Sequence, residues 1–190
     1  MHIDGTIEDG KDWVFHALTC EAPAVDLGKY KEAVAKITAK SKIVVPGKDL
    51  PAGRQGPEQP KFEDIIEAVL TSVTIKVPAV LIQREADRLI SQTLEEIKKL
   101  GMSLDQYLAS TGQDIETFKA MYAQRAERDL KLEFVLSKIS EVEKISVDDA
   151  EIQKTIDGAK PEEKASLAQN KYLLASIIRQ QKTLDFLRSL

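Results

Sequence analysis

The amino-acid sequence predicts a mainly α-helical protein that begins with a short extended or β segment. Three observations lead there. Straight-chain residues dominate and aromatics make up only 5% of the chain, and straight-chain residues lose little rotamer freedom in a helix. From Phe62 onward apolar residues recur at three- and four-residue steps, the spacing of one helix face. Ahead of that point lies a strand-prone stretch followed by a proline- and glycine-rich tract, a change of material that marks a boundary.

The elements are taken in chain order. Residues 1–38 read as extended or β. Trp13–Cys20 is β-prone, Pro23 and Gly28 punctuate the residues after it, and Val25 and Leu27 share a face if that stretch is extended. Residues 39–61 read as a linker, because positions 46–60 hold four prolines and three glycines and break both helix and strand. Residues 62–190 form the helical part. Phe62, Ile65, Ile66, Val69 and Leu70 define a first amphipathic helix, and Val73, Ile75 and Val77 then alternate as a brief strand. Pro78 is expected to start a helix ending at Leu100, with Gly101 as its left-handed stop. Ser103 and Gln106 read as a capping box for a helix ending near Gly112. Asp114 caps a long helix to about Lys144, apolar nearly all round near Leu130–Ile139 and so expected to be buried there. Ser146 is expected to cap a helix to about Asp157. A single last helix is expected from Glu162 to Leu190, with Leu173, Leu174, Ile177, Ile178, Leu184 and Leu187 as its apolar set.

Composition narrows the function classes. The 190 residues, 43% hydrophobic and 31% charged, suit a soluble globular chain with a proper core. A formal net charge of −4 argues against a nucleic-acid or membrane-surface binder, both of which need a concentrated basic face. No apolar run approaches the roughly 20 residues that span a bilayer, and the N-terminus lacks the basic start and apolar stretch of a secretory signal. Cys20 is the only cysteine, so no internal disulfide and no cysteine cage for a metal can form. A cytoplasmic location is the expectation.

Catalytic chemistry has no support. His2 and His16 have no nucleophile or ligand spacing beside them and read as a frayed terminus and a strand residue. Gly53–Gly56 lacks the Lys-Ser/Thr ending of a phosphate loop. Glu85, Asp87, Glu95 and Glu96 lie among Arg and Lys at helical spacing, an ion-paired solvated face. Arg125, Arg128 and Lys131 form a basic stripe, but Glu127, Asp129 and Glu133 interleave with it, so a solubilising face is the better reading. Cys20 reads as an inert strand residue.

A family resemblance completes the reading. The segment from Val77-Pro78-Ala79-Val80 through Arg88-Leu89 resembles the trigger-factor helix that opens on Val-Pro. Ser103-Leu104-Asp105-Gln106-Tyr107-Leu108 and Thr111-Gly112 are similar to that family's small helix and turn. The helix Phe118–Ile145 and the adjoining Ser146–Ile152 look like its long helix and the start of its second arm, and Lys182–Leu187 resembles its C-terminal return helix. Gly10–Phe15 and Pro23–Lys31 are similar to the stretch that joins the ribosome-binding domain to the rest. Two departures stand out. The Gly-Phe-Arg-x-Gly-x-x-Pro ribosome-docking loop has no match here, and Lys40–Lys61 is too short to hold the FKBP-type isomerase domain. The expectation is therefore an excised fragment or a reduced family member.

The resemblance implies an elongated helical body with two arm-like helical hairpins, of the trigger-factor C-terminal or SurA-like type. The second arm is expected to be stubby, since Ala159–Gln169 is short. It also implies a chaperone that holds unfolded or nascent polypeptides in a cradle between the arms, without ATP, cofactor, metal or catalysis. Such a surface offers many weak contacts. The residues expected to meet clients are Met102, Leu104, Tyr107 and Leu108 near one arm tip, Met121 and Tyr122 on the long helix, and Ile152, Ile156 and Leu173 on the second arm. Unfolded polypeptides are the expected partners, a homodimer is possible, ribosome contact is not supported by this chain alone, and nucleic acid and membrane are not expected. The alternative is a helical interaction or dimerisation scaffold with one dedicated partner.

Overall fold

The computed structural model describes residues 2–4, 14–16, 19–42 and 61–190. Of the linker reading of 39–61, residues 39–42 lie in a helix and Lys61 caps the next one, while 43–60, like Trp13, fall outside the described residues. Two short strands, β1 (His2–Asp4) and β2 (Val14–His16), pair antiparallel with His2 opposite His16, so His2 belongs to a ladder rather than a frayed end. Cys20 is exposed and lies outside any strand, a correction to its expected place in one.

β3 (Val25–Asp26) pairs antiparallel with β4 (Thr74–Ile75). That pairing turns Val25, Leu27, Val73 and Ile75 onto the same core, as alternation requires. The chain turns sharply after β3. Gly28 sits at φ 49°, and a Cβ there would lie 2.5 Å from the Ser72 carbonyl oxygen, so both backbone and space demand glycine. Its N–H donates to Asp26 Oδ1 at 3.0 Å, an Asx turn that launches α1 (Tyr30–Lys42). The extended reading of the N-terminal stretch thus stops short of Tyr30. The strand signals there are weak, and Tyr30, Val34 and Thr38 recur at four-residue steps on the buried face of a helix.

α2 (Phe62–Ser72) buries Ile65 and Val69, four residues apart. With Tyr30 and Val34 of α1 they join Val135, Leu136, Ile139 and Leu187 in one cluster, the core of the body. Exposed Phe62 has the Arg188 guanidinium over its ring at 5.2 Å.

Two projections leave this body. The first is built from α3 (Ala79–Lys99), α4 (Leu104–Thr111) and the N-terminal half of α5 (Ile115–Val142). Pro78 stands just before α3 as its cap rather than inside its first turn. α3 ends where Gly101 N–H donates to Lys98 O and Met102 N–H to Ile97 O, a Schellman pair that needs the left-handed Gly101. The Ser103–Gln106 capping box forms as the sequence predicts, and Asp114 Oδ1 accepts from Thr117 N–H. Ala86, Leu89, Leu108, Phe118, Tyr122 and Ala126 make a second, separate core. Phe118 lies between two rings, tilted to Tyr122 at 4.7 Å and edge-on to Tyr107 at 6.2 Å.

The second projection comprises α6 (Asp149–Gly158), α7 (Pro161–Gln169) and the start of α8 (Lys171–Ser189), around Ile152, Ile156 and Leu174. Two corrections arise here. Asp148, not Ser146, caps α6, because it forms a reciprocal capping box with Glu151 three residues on. The expected single last helix breaks at Asn170, whose side-chain amide donates to Ser166 O at 3.0 Å and so competes with the helical backbone. α5, with 28 residues, is about 42 Å long at 1.5 Å per residue. Its far half, with Val135, Leu136, Ile139 and Ser140, is buried in the body as its all-round apolarity predicts. α8 likewise starts in the second arm and ends with Leu187 in the body.

Candidate functional site

Local packing sorts the nine expected contact residues. Leu108 and Tyr122 are buried in the core of the first arm, and Ile152 and Ile156 in that of the second. An arm of two or three short helices can cohere only by burying its best-spaced apolar residues, so these four hold the arms together. Leu104 and Tyr107 are half-buried against the first-arm core, and Met102 is half-buried beyond it. Met121 and Leu173 are exposed, at 41% and 60%.

The structure adds seven exposed apolar side chains absent from that set, Phe62 and Val142 on the body and five on the arms. On the first arm these are Leu94, Leu100 and Ile115; on α8 they are Tyr172 and Ile177. The Tyr122 hydroxyl lies 2.7 Å from Thr93 Oγ1, which sets the register of α3 against α5. Counting outward by equal steps brings Leu100 and Ile115 together at the distal end of the hairpin, and Leu100 is 74% exposed. On α8, positions 173, 177, 180 and 184 share one face. Leu184 packs on the body core, Gln180 is half-buried, and Ile177 and Leu173 emerge into solvent. The apolar stripe of α8 is longer than the surface it packs against. Periodicity revealed the stripe; nothing in the sequence marked where its partner ends.

Charge surrounds these patches in short-range pairs. Glu85 takes two bonds from the Arg88 guanidinium, Arg125 faces Asp129 at 3.7 Å and Lys131 meets Glu127 at 2.8 Å. The basic stripe on α5 is therefore largely neutralised in place. Two longer links tie elements together. Glu143, at the end of α5, accepts from the Tyr30 hydroxyl and from Lys31 Nζ, both at 2.7 Å. Lys31, then Tyr30, hold the Glu143 carboxyl below its ordinary range. Burial, reinforced by Glu143, pushes the Tyr30 phenol above its own, so it stays a neutral donor. Lys182 donates to Glu151 at 2.9 Å and to Ser146 O at 2.8 Å, closing α6 onto α8. Lys182, then the Asp148 N–H, keep Glu151 ionised to lower pH. Each shifted carboxyl thus answers to an ion pair or a helix cap. Among the described residues no group of three or more His, Cys, Asp or Glu could hold a metal ion. Among them, too, no helix is long and apolar enough to cross a membrane.

The described residues thus form a helical body with two helical arms that carry apolar side chains in the open. The sequence profile described as "Bacterial trigger factor protein (TF) C-terminus" matches residues 55–189, and the chain belongs to the trigger factor family. Trigger factor from Carboxydothermus hydrogenoformans is 30% identical over 131 residues, covering 65% of this chain and 31% of the relative. That from Ruminiclostridium cellulolyticum is 29% identical over 99 residues, covering 52% of this chain and 23% of the relative. The chain thus corresponds to about a quarter to a third of the length of these relatives. In fold it is similar to a solved structure of trigger factor domains from Thermotoga maritima, with a TM-score of 0.50 and 23% identity over 67% of this chain and 79% of that one.

Proposed function

We propose that this chain is an ATP-independent holdase that binds unfolded or nascent polypeptides between its two arms, in the cytoplasm and without isomerase chemistry. The observation that carries the reading is the exposed apolar set split between the arms: Leu94, Leu100, Ile115 and Met121 on one, Tyr172, Leu173 and Ile177 on the other. A folded chain leaves large apolar groups in water at a cost, and patches of them mark interaction surfaces. Here they are separated by charged residues, so each contact is weak and many client sequences fit. Release needs no nucleotide, because a client that folds buries the same groups itself. Of the residues picked out from sequence, Met121 and Leu173 are the direct contacts under this reading, with Met102, Leu104 and Tyr107 contributing their open edges. Membership of the trigger factor family supports the chaperone role.

The test is aggregation of two unrelated denatured proteins, followed by light scattering with and without the chain and with no ATP. Suppression of both is expected. Suppression of neither, or of one alone, would favour a scaffold with a dedicated partner.

A further inference from the structure

A small cleft opens between α5 and α8, the two helices that each run from an arm into the body. It encloses about 80 Å³. A water occupies about 30 Å³ of the liquid, so the cleft admits a molecule of only a few heavy atoms.

The polar groups in its walls are of three kinds. Ser140 and Thr183 are buried. The Ser140 hydroxyl donates to Ser137 O and the Thr183 hydroxyl to Arg179 O, both at 2.8 Å. A hydroxyl has one proton and two lone pairs. With those protons committed to their own helices, the two buried oxygens can only accept. Glu133 of α5 and Arg179 of α8 also line the cleft and are exposed. Neither makes an ion pair or side-chain hydrogen bond, with the other or with any other described residue. Nearby charges of α5 are paired instead, Lys131 with Glu127 and Lys138 with Glu141. Ser137 and Ser176 complete the set with hydroxyls that no described residue engages.

This arrangement selects among small ligands. An anion would meet Arg179 but also Glu133 and two oxygens without a proton to give. An organic cation would answer those acceptors and leave Arg179 unmatched. A metal ion would find a single carboxylate, too few hard ligands for calcium or magnesium. An apolar molecule would desolvate polar groups without pairing them. A zwitterion with a primary ammonium answers every group. Its three N–H donors match Ser140 Oγ, Thr183 Oγ1 and the Glu133 carboxylate, and its own carboxylate matches Arg179 and the two uncommitted serine hydroxyls.

We propose that the cleft binds a small free α-amino acid, of about the size of glycine or alanine. The site is independent of the holdase reading. A ligand held from both sides ties α5 to α8, so binding braces the junction of arms and body and stabilises the folded chain.

The test titrates the full chain with glycine and follows backbone amide signals by NMR. Glycine betaine, acetate and methylammonium are the comparison ligands. Glycine is expected to move the signals around Ser140 and Thr183 saturably, with a Kd of about 1–10 mM, a range suited to so small a molecule. Acetate and methylammonium each carry one of the two charges and should bind at least about tenfold more weakly. Glycine betaine has no N–H and should give no saturable shift, which separates binding from a general osmolyte effect. Glu133→Gln and Arg179→Met should each weaken glycine binding by about five- to tenfold with circular dichroism unchanged. Lys154→Gln, at an exposed position of α6, is the control and leaves it alone. No saturable shift with glycine, an equal response to glycine betaine, or unchanged affinity in both variants overturns the proposal and leaves the cleft as a hydrated seam. None of these results bears on client binding.

Discussion

Leu173 and Leu174 are neighbours in sequence with opposite duties, and exchanging each for serine separates binding from stability. Leu173 is 60% exposed and Ile177, one turn on, is 51% exposed, whereas Leu174 is 7% exposed in the second-arm core. Fully burying such a side chain is worth about 1.5–3 kcal/mol. The fraction still open on Leu173 and Ile177 therefore leaves about 1 kcal/mol each for a client to gain. At 1.4 kcal/mol per tenfold, each single change weakens client affinity by roughly five- to tenfold, and the double change by about 25- to 100-fold if the two are independent. Both should alter the urea midpoint little, within about 0.5 kcal/mol of stability. Leu174→Ser should do the reverse. It removes core packing around Ile152 and Ile156 and costs about 2–4 kcal/mol, by loss of transfer energy and the cavity left behind. The assay pairs anisotropy binding of an unfolded protein with urea unfolding followed by circular dichroism. Unchanged affinity in Leu173→Ser/Ile177→Ser, or destabilisation matching that of Leu174→Ser, would refute the assignment of this face to clients.

Four further outcomes rest on named contacts or backbone angles. Gly28→Ala forces a Cβ against the Ser72 carbonyl at a positive φ and should destabilise the body by at least about 1–2 kcal/mol in urea unfolding, whereas Lys144→Gly relieves a left-handed lysine at φ 55° and should stabilise it by up to about 1 kcal/mol. Glu143 and Glu151 have lowered pKa values in the folded chain. Their stabilising contribution is therefore complete above the ordinary carboxyl range and is lost as pH falls through the lowered values, because the unfolded state takes up protons first. Glu143→Gln should accordingly flatten part of the acid limb of a stability-versus-pH curve while leaving the alkaline limb in place. Tyr122→Phe removes the hydroxyl partner of Thr93 without opening the aromatic stack, and thermal unfolding should register a loss of about 0.5–1.5 kcal/mol.

Much of this architecture was legible because its signals are local. The Ser103 capping box, the Asp114 cap and the glycine stops at Gly101 and Gly112 each involve groups within five residues, so chemistry and spacing alone identify them. The failures were also local, but arose between competing signals. Ser146 and Asp148 both offer a capping oxygen and both have an acid three positions on, Asp149 and Glu151, but only Glu151 has the longer side chain of a capping box and makes the reciprocal bond. Asn170 looked tolerable inside a long apolar-striped helix, and its side-chain bond to Ser166 O decided for a break. Tyr30–Lys42 became helix because its Val34 and Ile37 face a body core assembled from α2 and from parts of α5 and α8 that lie far along the chain.

By itself the sequence determined a helical chain with an extended N-terminal stretch, most helix boundaries between Phe62 and Gly158 to within a few residues, and the apolar stripes of those helices, because these depend on side-chain spacing and backbone capping. Which part of a stripe is covered depends on where the neighbouring helices stop. Tertiary packing made Leu174 core and Leu173 surface, and drew Tyr122 inward and left Met121 outside. It did so because burial is a property of several elements meeting, and no single segment carries that information.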